Sequence, residues 1–169
     1  MSPLKPRIDL EAIAPRAERI LGTLDGYVAG LGLEPALLEL VRLRASQLNG
    51  CAYCLDMHTK DARARGETEQ RLYALSAWRE TPFYSDRERA ALAWTEAVTL
   101  VADGHVPDAV YDEVREQFDE AGVVALTLAV VAINGWNRLS IAFRSVAGTY
   151  QPAVAAAPAA ELAASGVAG

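Results

Sequence analysis

Signals that begin and end helices recur along this chain, and they constrain its fold more than any other feature. Pro35 suits the first position of a helix, and the apolar positions that follow it keep helical spacing until Gly50. Gly66 is well placed as the left-handed residue that ends the next helix, and Ser85 with Glu88 fits a capping box. No segment shows the sustained alternation of a strand. The sequence therefore predicts an all-α fold without a sheet.

The predicted helices form one domain followed by a tail. A chain of 169 residues with 51% hydrophobic content is long enough to bury one substantial core. We expect residues 1–149 to form a single helical domain of about six to seven helices. Residues 150–169, mostly Ala, Pro and Gly, are predicted to be a disordered, dispensable tail. The predicted helices span residues 10–24, 35–47, 51–65, 68–78, 85–103, 107–118 and 121–145.

The net charge and the hydropathy pattern argue against several classes of partner. A formal charge of −6 would repel phosphate backbones and anionic lipid, so we expect no nucleic-acid and no membrane partner. The longest apolar stretch, residues 123–133, is well short of the roughly 20 residues needed to cross a bilayer, and it predicts a buried helix. Nothing near Met1 has the pattern of a secretion signal, so we expect a cytoplasmic protein.

The segment from Cys51 to His58 carries the most chemistry. On a helix, Cys51 and Cys54 are neighbours at i,i+3, and Cys54 and His58 at i,i+4, so the three side chains share one face. A thiolate near a helix N-terminus is stabilised by the macrodipole, and a neighbouring imidazole can accept or return its proton. A disulfide that closes so short a loop adds little stability, so reactive thiols are the better explanation. We expect such a disulfide to be exposed and readily reduced.

Thiol acidity alone does not make an efficient catalyst. Lowering a thiol pKa from about 8.5 to about 6.5 raises the thiolate fraction at pH 7 roughly 25-fold. The accompanying loss of nucleophilicity cuts that gain to about threefold. A peroxide also needs a proton delivered to its leaving oxygen, a task for a general acid such as His58 or a carboxylate beside it. Our candidate carboxylate is Glu39, which would approach the cysteine turn if the short connection at Gly50 packs the two helices antiparallel.

Glu39, followed after eleven residues by Cys51-x-x-Cys54-x-x-x-His58, resembles the signature of the alkylhydroperoxidase D-like family, within the carboxymuconolactone decarboxylase superfamily. The resemblance covers roughly residues 10–147, leaving out the tail. It extends to residues 43–50, 78–80, 88–92 and 134–138.

The resemblance implies an all-helical fold that assembles into homo-oligomers, often trimers or hexamers, and a peroxidase that works without metal, haem or other cofactor. It implies that Cys54 is the peroxidatic cysteine, that Cys51 is the resolving one, and that Glu39 and His58 form the proton relay. The implied partners are a hydroperoxide substrate and an external dithiol reductant. The family's best-known peroxidases carry a histidine between the two cysteines, where this chain has Tyr53.

Other readings of the same residues stay open. A lyase acting on a lactone would use His58 or Glu39 as acid and base and would not need the cysteines. A thiol redox sensor would be oxidised once without turnover. A relic scaffold, which keeps the fold without its chemistry, would show neither lyase activity nor thiol oxidation. A zinc site is disfavoured, because one helical turn seldom supplies a complete tetrahedral ligand set.

The segment 123–133 is apolar nearly all round, and one layer of neighbouring helices would struggle to cover every side. We therefore expect a homo-oligomer whose interface covers the remainder.

Overall fold

The computed structural model of the protein describes residues 5–152, which contain eight α-helices, two short 3₁₀ helices and no strand. The all-α prediction is confirmed. The α-helices are α1 Leu10–Ile13, α2 Pro15–Ala29, α3 Pro35–Asn49, α4 Ala52–Ala64, α5 Glu69–Ala74, α6 Asp86–Thr99, α7 Asp108–Gln117 and α8 Glu120–Phe143. The 3₁₀ helices are Leu75–Glu80 and Val101–Asp103.

The first predicted helix is divided in two, and this is the main error in the predicted boundaries. Ala14 has φ −138° and ψ 60°, which ends α1 before Pro15 begins α2. Proline disfavours the helical conformation of the residue before it and has no N–H to continue the hydrogen bonds, so the break is a local effect of Pro15. The end near Gly26 is also wrong, because α2 continues to Ala29.

The predicted helices 68–78 and 85–103 also end early, at Ala74 and Thr99, and each is followed by a 3₁₀ helix. The remaining helix ends agree closely with their sequence signals. Gly50 has φ +69° and Gly66 has φ +95°, the left-handed conformation that glycine adopts without a steric penalty. Ser85 and Glu88 form a complete capping box at the start of α6. The short connection at Gly50 turns the chain back, so that α3 and α4 pack against each other in antiparallel fashion.

Helix α3 is central, with extensive contacts to α4, α6 and α8. Helix α8 is long and apolar enough to span a membrane by length and composition alone, but it packs against α2, α3 and α6, as the core helix of a globular domain does. Its buried side chains join those of α3 and α6 in the main hydrophobic cluster. That cluster includes Val28, Leu37, Val41, Ala91, Trp94, Val114, Leu126 and Val130.

A partly buried carboxylate, that of Glu96, ties α3, α6 and the first 3₁₀ helix together. Oε1 of Glu96 accepts hydrogen bonds from Arg44 Nε at 2.8 Å and from Trp78 Nε1 at 2.7 Å, and Arg79 pairs with Oε2. Burial opposes ionisation of Glu96, but the hydrogen bonds from Trp78, Arg79 and Arg44 outweigh it and lower the pKa of the carboxyl group.

After α8 the chain returns to α4. The backbone N–H of Gly148 donates to Asp56 at 3.0 Å, and Lys60 Nζ donates to the carbonyl oxygen of Tyr150 at 2.9 Å. The Tyr150 hydroxyl donates to Asp61 Oδ1 at 2.8 Å. The first residue of the predicted tail, Tyr150, is therefore held against α4, whereas 153–169 lie outside the described residues.

Candidate functional site at the start of helix α4

The two cysteines bracket the first turn of α4. Cys51 has extended backbone dihedrals, φ −83° and ψ 96°, and caps the helix instead of lying within it. Its Sγ accepts a hydrogen bond from the backbone N–H of Cys54 at 3.3 Å. The prediction that both cysteines lie on one face of a regular helix is wrong for Cys51, because α4 begins one residue later, at Ala52. This cap conformation lets the two sulfurs meet, and they are joined in a disulfide with Cα atoms 5.4 Å apart.

A buried amide network holds the Cys51 turn in place. The backbone N–H of Cys51 donates to the carbonyl oxygen of Ser46 at 3.0 Å. Asn137 of α8 is fully buried, and its amide donates to Ser46 Oγ at 3.0 Å and accepts from Asn49 Nδ2 at 2.8 Å. These bonds fix the C-terminal end of α3 to α8, and with it the residue that caps α4.

Glu39 and His58 form a buried pair beside the cysteines. Nδ1 of His58 lies 2.9 Å from Oε2 of Glu39, and the two residues are only 6% and 3% exposed. The other oxygen of Glu39 accepts from Arg42 Nη1 at 3.0 Å. The structure thus contains the contact between α3 and α4 that the short connection suggested.

Glu39 is charged in spite of its burial. Desolvation raises the carboxyl pKa, but the hydrogen bond with His58 and the positive charges of His58, Arg42 and Arg65 together lower it below its usual value. An ionised Glu39 favours a proton on the Nδ1 atom of His58, which leaves Nε2 as the atom available to exchange a proton.

A cavity of about 450 Å³ opens next to this pair. Cys54 and His58 both line it, whereas Cys51 is not among its lining residues in the described structure. Trp136 forms part of the wall and donates from Nε1 to Asp25 at 2.5 Å, and Asp25 in turn lies 3.7 Å from Arg42. The full lining is Glu18, Asp25, Arg42, Tyr53, Cys54, Met57, His58, Ile133, Trp136 and Ser140.

The expectation of an exposed disulfide is wrong. Cys51 and Cys54 are each only 1% exposed and form a small apolar cluster with Ala45 and Ile133. Tyr53 and Trp136 pack against this cluster. Reagents therefore reach Cys54 through the cavity and not from open solvent.

Asp61 adds a second carboxylate beside the buried pair. One side-chain oxygen of Asp61, one of Glu39 and a ring nitrogen of His58 all lie within 4.8 Å of one another. Arg42 already binds Glu39, and the pair between Glu39 and His58 is a direct hydrogen bond, so the arrangement suits proton handling better than cation binding.

Comparison with known proteins identifies the family. The model of the carboxymuconolactone decarboxylase family matches residues 15–97, which include both cysteines, Glu39 and His58. The uncharacterized protein YdfG of Bacillus subtilis (strain 168) is 46% identical over 139 residues, which are 82% of this chain and 95% of YdfG. The chain belongs to the carboxymuconolactone decarboxylase family.

Within this family, the chain has the fold of the AhpD-like proteins. A crystal structure from Agrobacterium tumefaciens, of a protein of unknown function suggested to be the antioxidant defence protein AhpD, is 41% identical with a TM-score of 0.83. The similarity covers 86% of this chain and 100% of that one. An uncharacterized peroxidase-related protein from Ralstonia eutropha JMP134, with an alkylhydroperoxidase AhpD core, is 17% identical with a TM-score of 0.71. This similarity covers 82% of this chain and 74% of the Ralstonia protein, and at 17% identity it shows the fold alone.

Several residues around the site of this AhpD-like protein escaped the sequence analysis. Most of their contacts join distant parts of the chain, so local spacing does not mark them. Arg42 and Asp61 are exceptions, because each lies three residues after Glu39 or His58 on the same helix. Ser46 and Asn137 lay in segments that the family resemblance had singled out, residues 43–50 and 134–138. The residues that the structure adds are Asp25, Arg42, Ser46, Asp61, Asn137 and Tyr150.

Proposed function

We propose that this AhpD-like protein is a thiol-dependent hydroperoxide reductase that works without a metal or other cofactor. The observation that carries the proposal is the Cys51–Cys54 disulfide at a cavity lined by Cys54 and His58, with His58 hydrogen-bonded to the ionised Glu39. A redox-active cysteine pair and a buried acid–base pair are the two components that peroxide reduction by thiols needs.

The electrons balance over three steps. The Cys54 thiolate attacks a hydroperoxide, breaks the O–O bond and becomes a sulfenic acid, while the leaving alkoxide takes up a proton and departs as an alcohol. The Cys51 thiol condenses with the sulfenic acid and releases water, which leaves the Cys51–Cys54 disulfide. An external dithiol reduces this disulfide and is itself oxidised to a disulfide.

The position of the two sulfurs supports Cys54 as the attacking group. Cys54 lines the cavity and lies in the first turn of α4, where helix amides and the macrodipole favour a thiolate. Cys51 shares the small apolar cluster with Cys54 but does not line the cavity. It is therefore placed to resolve the sulfenic acid and not to meet the substrate first.

The hydrogen bond between His58 and Glu39 suits the relay. The carboxylate of Glu39 stabilises an imidazolium, so His58 can take the thiol proton from Cys54 and later deliver it to the leaving oxygen. A buried pair responds to substrate without rearranging solvent, which favours rapid transfer.

Steady-state turnover tests the proposal. Reduced protein with excess dithiol should consume an organic hydroperoxide over many turnovers, and Cys54→Ser should abolish that consumption. Cys51→Ser is the matched control for loss of one thiol, because it should retain a single turnover that ends at the Cys54 sulfenic acid. Equal background rates in the native protein and in Cys54→Ser would contradict the proposal.

A lactone lyase is the second candidate, and one observation favours it. His58 and Glu39 form a complete acid–base pair at the cavity, and that pair does not require either cysteine. The double variant Cys51→Ser with Cys54→Ser separates the two functions. A lyase would keep its activity in that variant, whereas the peroxidase would lose it.

A further inference from the structure

The hydrogen bond from Tyr150 to Asp61 links the C-terminal segment to the buried acid–base pair. We propose that Tyr150 is a positioning residue of the thiol site, which sets the proton affinity of His58 through the Asp61 carboxylate. This inference deepens the proposed peroxidase function, and its role in catalysis rests on that function. The physical claim about His58 can be tested without any turnover.

The first step of the argument concerns Asp61. Its carboxylate and that of Glu39 lie within 4.8 Å of a ring nitrogen of His58, so two negative charges act on one imidazole. An opposite charge at this separation favours the protonated ring. Left without a hydrogen-bond donor, Asp61 would add its full charge to that of Glu39 and would hold the proton on His58 more tightly.

The second step concerns Tyr150. Its hydroxyl donates to Asp61 Oδ1 at 2.8 Å, which draws part of the carboxylate's charge away from the ring and fixes the direction in which the carboxylate points. Burial, the hydrogen bond to Asp61, and the charges of Asp61, Glu39 and Tyr53 raise the pKa of Tyr150 to about 12. The hydroxyl therefore keeps its proton at neutral pH and acts as a constant donor.

The third step concerns the segment that carries Tyr150. The bond from Gly148 to Asp56 and the bond from Lys60 to the Tyr150 carbonyl group hold the segment on α4 on both sides of the hydroxyl contact. Asp56 and Lys60 also pair with each other at 2.9 Å. The hydroxyl is thus held in position by the backbone around it.

The consequence is a tuned proton affinity. A relay histidine must accept the thiol proton and then release it to the leaving oxygen, so an affinity that is too high slows the second step. Other charged or titratable groups also face the relay from the packed elements. They are Glu18 and Asp25 of α2, Glu39 and Arg42 of α3, Tyr53 and Asp61 of α4, Arg65 just after α4, and Tyr150.

NMR titration of the histidine rings in the disulfide form tests the proposal, because neither cysteine titrates in that form. The chain has only two histidines, and the exposed His105 serves as an internal reference in every sample. Asp61→Asn should lower the midpoint of the His58 titration, because it removes a negative charge near the ring, and Tyr150→Phe should raise it. Tyr73→Phe, at an exposed tyrosine of α5, should leave it unchanged.

A double variant separates the proposal from a merely structural role. If Tyr150 acts through Asp61, adding Tyr150→Phe to Asp61→Asn should shift the His58 midpoint no further. If the segment only shielded the site from solvent, Tyr150→Phe would shift the His58 midpoint equally in the native protein and in Asp61→Asn. That result would overturn the proposal, as would shifts of both single variants in the same direction or no shift in either. A protein that shows the predicted shifts but no hydroperoxide turnover would refute only the proposed function.

Discussion

Nδ1 of His58 and Oε2 of Glu39 lie 2.9 Å apart in the interior of the protein, although the two residues are 19 positions apart in the sequence. The contact joins α4 to α3 directly beside the cysteine pair. It gives the otherwise unexceptional helical residue Glu39 a chemical role, because the carboxylate determines which nitrogen of His58 carries the proton.

Glu39→Gln should reduce hydroperoxide turnover without unfolding the protein. The amide has nearly the same shape as the carboxylate but lacks the charge that stabilises an imidazolium, so kcat/KM should fall by about 100-fold. Glu113→Gln, at an exposed position of α7, is the matched control and should leave turnover unchanged. Equal rates in the two variants would remove Glu39 from the relay.

Stability should fall with acidification through Glu39 and Glu96. Both carboxyl groups have pKa values lowered by their hydrogen-bond donors in the folded protein. A lowered folded-state pKa gives stability that is present above the unfolded value of about 4.3 and is lost as the pH falls through the folded value. Urea unfolding at pH 7 and at decreasing pH below about 4.5 should show this loss. Glu96→Gln should cost about 1 kcal/mol at pH 7 and should flatten the acid dependence. If the stability of Glu96→Gln fell with pH as steeply as that of the native protein, this would count against a contribution of Glu96 to the acid dependence.

Asn137→Leu should destabilise the fold and loosen the Cys51 turn. The change removes the amide that donates to the buried Ser46 hydroxyl, and an unsatisfied buried polar group costs about 1–3 kcal/mol. Asn49 loses one acceptor but keeps Ala45 and Asn134. Urea denaturation measures the loss. Arg138→Ala, on the exposed side of the same helix, should cost less than about 0.5 kcal/mol. A neutral effect of Asn137→Leu would show that the amide network is dispensable.

An uncovered apolar strip on α8 predicts self-association. Val124 and Val131 are 58% and 51% exposed and lie seven residues apart, so they share one face of the helix. We expect this face to lie in a homo-oligomer interface, and Val131→Glu should shift the protein towards monomer in sedimentation velocity. Val101→Glu changes a similarly exposed valine away from α8 and should have no such effect. A native protein that sediments as a monomer at micromolar concentration would contradict the expectation.

The parts of the fold that were predictable from sequence depend on short-range effects. Gly50, Gly66 and the Ser85 capping box act within a few residues, and the structure contains each of them where the sequence indicated. The approach of Glu39 to His58 could be anticipated because only a short turn separates their helices. The split at Ala14 was missed because helical apolar spacing continues across Pro15, although proline marks the break.

The rest of the site depends on contacts between distant parts of the chain. Asn137 and Ser46 are 91 positions apart, and Tyr150 and Asp61 are 89 apart, so no local spacing could reveal either pair. The burial of the disulfide has the same origin, because Ile133 and Trp136 of α8 pack around sulfurs that would otherwise lie at an open helix start.

The most direct test of the central claim is to identify which sulfur the hydroperoxide oxidises. Reduced Cys51→Ser protein is treated with one equivalent of an organic hydroperoxide and then with dimedone, which labels sulfenic acids, and the modified peptide is located by mass spectrometry. Stoichiometric labelling of Cys54, with little labelling of Cys51 in the matched Cys54→Ser variant, is the predicted result. Labelling of Cys51 in Cys54→Ser without labelling of Cys54 in Cys51→Ser, or no labelling in either, would contradict the assignment of Cys54 as the peroxide-reducing thiol.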